Sequence, residues 1–304
     1  MANPAYVAVD WGTSSFRLWL MARDGSVLAE RRSGEGMTSA AKTGFSSVLS
    51  GHLAAVEAPE NLPVIVCGMA GARQGWVEAG YIDVPAPLGS ILTAAVRVPG
   101  ESRDVRILPG LAQRDGATPD VMRGEETQLL GALGGTSAGA QAVCMPGTHS
   151  KWVHVTDAEV TGFSTFMTGE LFDAISKHTI LSHAVAGADQ QPADAAAFEA
   201  AVSAAFARPA LASNLLFTSR SGQLLHGISA AAAQARLSGT LIGLEIAGAL
   251  QDAATAGITL VASGRLQALY EQAFKTLSLA FTAIDADAAV RRGLSAAAEA
   301  IWPN

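Results

Sequence analysis

One four-residue turn occurs twice in this chain, half its length apart. Gly12-Thr13-Ser14-Ser15 and Gly147-Thr148-His149-Ser150 share the pattern Gly-Thr-x-Ser. Each follows an apolar segment that reads as a strand, Tyr6 to Asp10 in the first case and Gln141 to Met145 in the second. Two further strands come after each turn: Phe16 to Arg23 and Ser26 to Arg32, then Lys151 to Thr156 and Glu159 to Phe166. A tetrapeptide can recur by chance in a chain with 31 glycines, but the matching strand order on both sides makes a duplicated plan the expectation. The length of 304 residues agrees, being more than one hydrophobic core usually serves. We place the domains at 1–135 and 136–304, joined through the small-residue stretch Gly134 to Ala140.

The remaining pattern is that of an α/β protein. Asp24-Gly25 supplies a hairpin turn between the second and third strands. A helix is expected from Phe45 to Val56, then a strand from Val64 to Cys67 that runs into Gly68-Met69-Ala70-Gly71. A strand from Val105 to Leu108 and a helix from Met122 to Leu133 complete the first half. After the second turn come a helix from Glu170 to Lys177 and an alanine-rich region. That region includes an apolar run from Ile228 to Leu250 broken by Gly239 and Gly243. A strand from Ile258 to Ala262, the turn Ser263-Gly264-Arg265, a helix from Leu266 to Thr276 and a last helix from Ala286 to Ile301 close the chain.

Composition removes several function classes. Apolar residues make up 49% and charged residues 15%, which is a folded protein and not a disordered one. Acidic side chains outnumber basic ones 27 to 20, so no footprint for a nucleic-acid backbone is present. No basic segment precedes the first apolar run, Asp10 interrupts that run, and no stretch is long enough to span a bilayer, so neither a signal peptide nor a membrane partner is expected. Cys67 and Cys144 cannot build a disulfide framework and lack zinc-ligand spacing; both sit in apolar strands and are expected in the core. A reducing cytoplasm is the simplest home. His178 and His183 are not at one-face helical spacing, which argues against a metal pair. Glycine fingerprints of dinucleotide-binding folds and P-loops and the His-Glu-x-x-His pattern are missing, and no Gly-x-Ser-x-Gly elbow follows a strand.

What remains suits an anionic ligand. Turns with successive exposed amides make anion-binding concavities, and two of them facing each other would suit a nucleoside triphosphate. Asp10 ends the first strand and could hold Mg²⁺ through water, since that ion keeps several waters and takes one or two carboxylates. Glu125 and Glu126 stand at the entrance of a helix, where they could serve the helix dipole or accept a proton from an attacking hydroxyl. Ser263-Gly264-Arg265, between strand and helix, resembles a nucleotide-cradling turn. Arg17 and Arg73 are the cations nearest glycine turns, able to grip phosphate or carboxylate through a bidentate fork.

Four runs together carry a family resemblance: Val7 to Trp19, Gly68-Met69-Ala70-Gly71, Met122-Arg123-Gly124-Glu125-Glu126-Thr127-Gln128, and Met145-Pro146-Gly147-Thr148-His149-Ser150-Lys151-Trp152. They resemble the 2-dehydro-3-deoxygalactonokinases, over nearly the whole chain. The resemblance implies the actin, hexokinase and Hsp70-like superfamily: two ribonuclease-H-like domains with a nucleotide cleft between them. The implied substrate domain is the first and the nucleotide domain the second. It implies ATP and Mg²⁺ as cofactors and phosphorylation of 2-dehydro-3-deoxy-D-galactonate at its 6-hydroxyl, in galactonate breakdown. By position, Asp10 would be the magnesium ligand, with Gly12, Thr13, Ser14 and Arg17 in the first phosphate loop and Gly147, Thr148, His149 and Lys151 in the second. Ser263, Gly264 and Arg265 would form the adenosine motif, with one glycine where the family often has a pair. Related sugar kinases carry an aspartate base after a glycine; here Glu125 follows Gly124, with Glu126 as the alternative. Arg73 and Trp76 would face the substrate. A kinase for another sugar or 2-keto-3-deoxy sugar acid, or a non-catalytic nucleotide-dependent regulator, are the competing expectations.

Overall fold

The computed structural model describes residues 3–134, 139–251 and 257–303. The expected boundary after residue 135 lies outside the described residues. The chain divides into two compact units, one holding residues 1–139, 155–163 and 284–304 and the other 140–154 and 164–283.

In the first unit a six-stranded sheet runs β3 (Val27–Ser33), β2 (Phe16–Ala22), β1 (Pro4–Trp11), β4 (Val64–Gly68), β8 (Val105–Ile107) and β7 (Val96–Arg97). β1 pairs antiparallel with β2 and parallel with β4, and β4 pairs parallel with β8. Asp24-Gly25 forms the expected hairpin turn: Gly25 has φ +81°, and the Asp24 carboxylate accepts from the Ser26 amide at 2.9 Å. Val7, Val9 and Trp11 from β1 meet Phe16 and Leu18 from β2 in the core, covered by Phe45, Val48 and Leu49 of α2 (Phe45–Ala55). A second, three-stranded sheet of β10 (Asp120–Met122), β9 (Gly110–Gln113) and β5 (Tyr81–Asp83) was not legible from the sequence. Its strands are only three or four residues long, too short for an alternation to register. Met122 therefore ends a strand, and α4 runs from Glu125 to Leu133, correcting the helix expected from Met122.

The third sheet runs β15 (Phe281–Asp285), β14 (Ile258–Ala262), β11 (Ala140–Met145), β12 (Ser150–Thr156), β13 (Glu159–Phe166) and the two-residue β6 (Ala86–Pro87). Its first five strands repeat the order of β8, β4, β1, β2 and β3, and β11 pairs parallel with β14 as β1 does with β4. The duplicated plan is thus present in the sheets themselves. The apolar run does not break at its glycines: α9 (Ala230–Ala249) is continuous, and Gly239 and Gly243 face the backbone of α7 (Ala195–Ala207), where a methyl group would lie 2.5 Å from the Phe198 and Val202 carbonyl oxygens. Cys144, Trp152, Phe198, Ile246 and Phe274 fill this core. Cys67 and Cys144 are both free and buried.

The last helix, α11 (Ala286–Ile301), belongs to the first unit. Gly131 of α4 and Gly293 of α11 let the two helices touch at the backbone. A Cβ on Gly293 would stand 2.0 Å from the Thr127 carbonyl oxygen, and one on Gly131 would stand 1.9 Å from that of Ala289. The Arg292 guanidinium donates to the Gly131 carbonyl at 2.8 Å, the Tyr6 hydroxyl to Ser295 at 2.7 Å, and the Trp302 indole to Asp104 at 2.9 Å. Among the described residues no single helix is long and apolar enough to cross a membrane.

Candidate active site

The first turn lies at the carboxyl ends of parallel strands, where open α/β sheets place their ligands. Strand register sets Asp10 beside Cys67 and Trp11 beside Gly68. The Gly12 amide donates to the Ser15 carbonyl at 2.9 Å, closing the turn and leaving Thr13, Ser14 and Ser15 exposed. A segment after β3 supports it from behind. Gly36 lies so close that a Cβ there would be 2.5 Å from N, Cα and C of Ser14. The Met37 and Thr38 amides donate to the Gly12 and Thr13 carbonyls at 2.9 and 3.1 Å, and the Trp11 indole donates to the Glu35 carbonyl at 3.0 Å.

Arg17 does not stand in the turn with its guanidinium unengaged. It is ion-paired to Asp10 on one side and to Asp287 of α11 on the other, and Asp287 also receives Arg32 at 2.7 Å. Asp10 keeps 12% of its side chain exposed and lies 3.8 Å from the Cys67 sulfur. Burial, with the Asp10 charge as a second cause, holds the Cys67 thiol protonated.

Across from Gly68, Gly124 brings in the two carboxylates at the N-terminus of α4. Their environments differ. Glu126 is fully buried; it accepts from the Gly124 amide at 2.6 Å and the Thr127 hydroxyl at 2.9 Å, and burial together with the Glu125 charge raises its pKa to about 7. Glu125 keeps partial solvent exposure and accepts from the Arg123 amide at 3.1 Å. Of the pair, Glu125 has the accessible carboxylate.

Arg73 is 83% exposed in a 3.5 Å pairing with Glu78. Trp76 is not presented to solvent as an open platform: it stacks on Phe45 at 5.9 Å and meets Trp11 edge-on at 5.8 Å, joining the core of the first unit.

The second turn repeats the support of the first. Gly169, at the start of α5 (Thr168–His178), lies so that a Cβ would be 2.5 Å from the Gly147 carbonyl oxygen and 2.8 Å from Thr148 Cα, and the Glu170 amide donates to the Thr148 carbonyl at 3.0 Å. His149 pairs with Glu170 at 2.6 Å. Lys151 is buried, its ammonium donating to the His149 carbonyl at 3.3 Å, so it braces the turn. Beside the turn lies a cavity of about 230 Å³, walled by Gly147, Gly169, Phe172, Leu241, Arg265 and Tyr270 among others. Ser263 precedes α10 (Gly264–Thr276) and Gly264 takes φ +62°, which turns the chain so that Arg265 reaches the cavity rim.

Sequence reasoning missed four contributors: Gly36, Gly169, Arg123 and Glu245. Gly36 and Gly169 follow the third strand of their repeats, so extending the repeat comparison past that strand would have found them. Glu245 is the one acidic residue in the run from Ile228 to Leu250, a signal that was available. Arg123 stacks on Tyr81 at 4.4 Å and donates to the Gly80 carbonyl at 3.1 Å, which no local pattern announces.

Two sheets of one strand order, each with a glycine-supported turn at the end of its first strand, define an α/β protein of the ribonuclease-H-like, actin-type fold. The activator of 2-hydroxyisocaproyl-CoA dehydratase from Clostridium difficile shares this fold, with a TM-score of 0.53 at 11% identity over 97% of this chain and 95% of that one. A sequence model of the 2-keto-3-deoxy-galactonokinase family matches residues 10–297, and the chain belongs to that family. It is 66% identical over 299 residues to the probable 2-dehydro-3-deoxygalactonokinase DgoK1 of Rhizobium meliloti (strain 1021), covering 98% of each chain. It is 36% identical to the 2-dehydro-3-deoxygalactonokinase of Escherichia coli (strain K12), over 97% of this chain and 98% of the other. A crystal structure of a Sinorhizobium meliloti protein, 64% identical, superimposes with a TM-score of 0.94 over 98% of this chain and all of that one.

Proposed function

We propose that this protein is an ATP- and Mg²⁺-dependent kinase of 2-dehydro-3-deoxy-D-galactonate, transferring phosphate to the 6-hydroxyl within galactonate breakdown in the cytoplasm. The observation that carries the reading is the split between Glu125 and Glu126. One carboxylate is buried and braced, and its neighbour is accessible at a helix N-terminus beside the strand ends that carry Asp10 and the first turn.

The residues suit the implied cofactors. The cavity beside Gly147 is apolar along Phe172, Leu241 and Leu269 and has a cation, Arg265, at its rim, which fits an adenosine with its phosphates at the second turn. Among the described residues no group of three His, Cys, Asp or Glu side chains could cage a metal ion. One carboxylate at a strand end matches an ion held chiefly by water and phosphate, the habit of Mg²⁺. Bound Mg-ATP supplies the phosphoryl group and a cation that offsets its charge.

The chain's own residues do the rest, which in phosphoryl transfer is chiefly positioning and charge stabilisation. Glu125 accepts the proton of the 6-hydroxyl as that oxygen attacks. Asp10 would hold the ion, and Arg17 between Asp10 and Asp287 keeps that carboxylate in place. The amides and hydroxyls of Gly12, Thr13 and Ser14 in the first unit, and those of Gly147, Thr148 and His149 in the second, would each suit phosphate oxygens. Lys151 stiffens the second turn. Arg73, exposed beside Glu78, would take the substrate carboxylate.

The test is a coupled ADP-release assay with Mg-ATP and a panel of 2-keto-3-deoxy sugar acids. We expect turnover with the galacto acid, and a loss of about 10²–10⁴ in kcat for Glu125→Gln with Mg-ATP binding retained. Full turnover in that variant, or no phosphate transfer to any acid of the panel, overturns the reading.

A further inference from the structure

In the second unit a single buried carboxylate ties together every element that walls the cavity beside Gly147. Glu245, four residues before the end of α9, is 1% exposed. The Trp152 indole of β12 donates to its Oε1 at 2.8 Å and the Tyr270 hydroxyl of α10 donates to its Oε2 at 2.7 Å. The hydroxyls of Thr168, which begins α5, and of Ser150, which ends the second turn, hydrogen-bond to the same carboxylate. Ser150 Oγ lies 3.2 Å from the Tyr270 hydroxyl and accepts from the Gly147 amide at 3.4 Å. A chain of hydrogen bonds therefore runs from α9 through α10 to the backbone of the turn itself.

A core position offers no reason for an ionisable group, since an apolar residue of similar volume would fill it without the cost of desolvating a carboxylate. What the carboxylate adds is direction. Its two oxygens accept from groups on different elements, so it fixes their mutual spacing as an apolar side chain would not. Thr168 and Tyr270, bonded directly to Glu245, and Gly147, reached through Ser150, also line the cavity.

We propose that Glu245, through Tyr270 and Ser150, is the positioning residue of the nucleotide site, setting the distance between the second Gly-Thr turn and the adenosine cavity. The inference rests on that cavity being the nucleotide site, as argued above. It predicts that the network governs affinity for the nucleotide and leaves affinity for the sugar acid alone.

Three variants test it, read by steady-state kinetics and by calorimetric titration of Mg-ADP. Tyr270→Phe keeps the ring and deletes one hydrogen bond; it should raise the ATP KM and the Mg-ADP Kd by about tenfold. Glu245→Gln should raise both further, and the KM for the sugar acid should stay within about twofold in both variants. Val202→Ala, a cavity in the same core outside the network, lowers stability and should leave the ATP KM unchanged. If Glu245→Gln does not fold, Tyr270→Phe decides alone. An unchanged Mg-ADP Kd in folded Tyr270→Phe overturns the proposal, as does an equal rise in Val202→Ala or a wild-type protein that binds no Mg-ADP. A wild type that binds Mg-ADP yet phosphorylates no sugar acid would overturn the kinase assignment, and the Mg-ADP titrations would still decide this one.

Discussion

Gly36 offers the sharpest test of how the first turn is held. Its φ of −64° is ordinary for any residue, so alanine there brings no backbone strain. The whole effect must come from the new methyl group. That carbon would sit 2.5 Å from three backbone atoms of Ser14, roughly 1 Å inside normal contact for carbon atoms. Backbone cannot rotate aside as a side-chain end can, so either the turn or the 35–38 segment must shift by a comparable distance. Overpacking of this kind costs about 1–3 kcal/mol, or very roughly 2–12 °C in Tm. A displacement of about 1 Å at a loop that positions phosphate can cost on the order of 10²-fold in rate. Gly34, two residues earlier, has nothing within 4 Å of its Cβ position, which makes Gly34→Ala the control. The assay is ADP release at varied ATP, with thermal melts on the same preparations. Gly36→Ala should raise the ATP KM or lower kcat by at least about tenfold while Gly34→Ala matches wild type. If Gly36→Ala binds and turns over normally, or if both variants fall equally, the view that this glycine seats the turn is wrong.

Other outcomes follow from the same geometry. The carboxyl of Glu126 rises from 4.5 to about 7 on folding, so the folded state holds the extra proton between those values and stability falls as pH rises through them. Glu126→Gln should flatten that fall, worth up to about 3 kcal/mol, in denaturant melts at pH 5 and pH 8; an unchanged slope would show that Glu126 is not the group responsible. Asp10→Asn should raise the Mg²⁺ concentration needed for half-maximal rate on the order of tenfold, and an unaltered Mg²⁺ titration would remove Asp10 from that role. Gly293→Ala, with its Cβ 2.0 Å from the Thr127 carbonyl oxygen, should cost about 3 kcal/mol or more in urea unfolding; a variant as stable as wild type would mean that the α4–α11 contact yields easily.

The repeat was legible because each unit writes its first three strands in consecutive apolar segments with a turn of fixed chemistry between them. The Asp24-Gly25 hairpin and the strand before Ser263 fall where local pattern places them, and β1 ends at Trp11, one residue past the expected Asp10. The sheet of β5, β9 and β10 was hidden since its strands are only three or four residues long and β5 pairs with a strand about thirty residues further on. The site was legible only in its loops. Sequence separates Asp10 from Gly124 and Glu125 by more than a hundred residues, and nothing local reports that Arg17 is ion-paired to Asp287 or that Trp76 stacks on Phe45. Nor could adjacency distinguish Glu125 from Glu126; that distinction is made by α4, which turns one inward against Thr127 and leaves the other accessible.

The docking of α11 onto α4 also bears on how the protein is made. The helix that carries Glu125 rests its backbone against residues that leave the ribosome some 160 positions later. Until then Gly131 and Thr127 lack the backbone neighbours that Ala289 and Gly293 supply. A chain cut short before residue 284 would thus emerge without the strut beneath its proposed base.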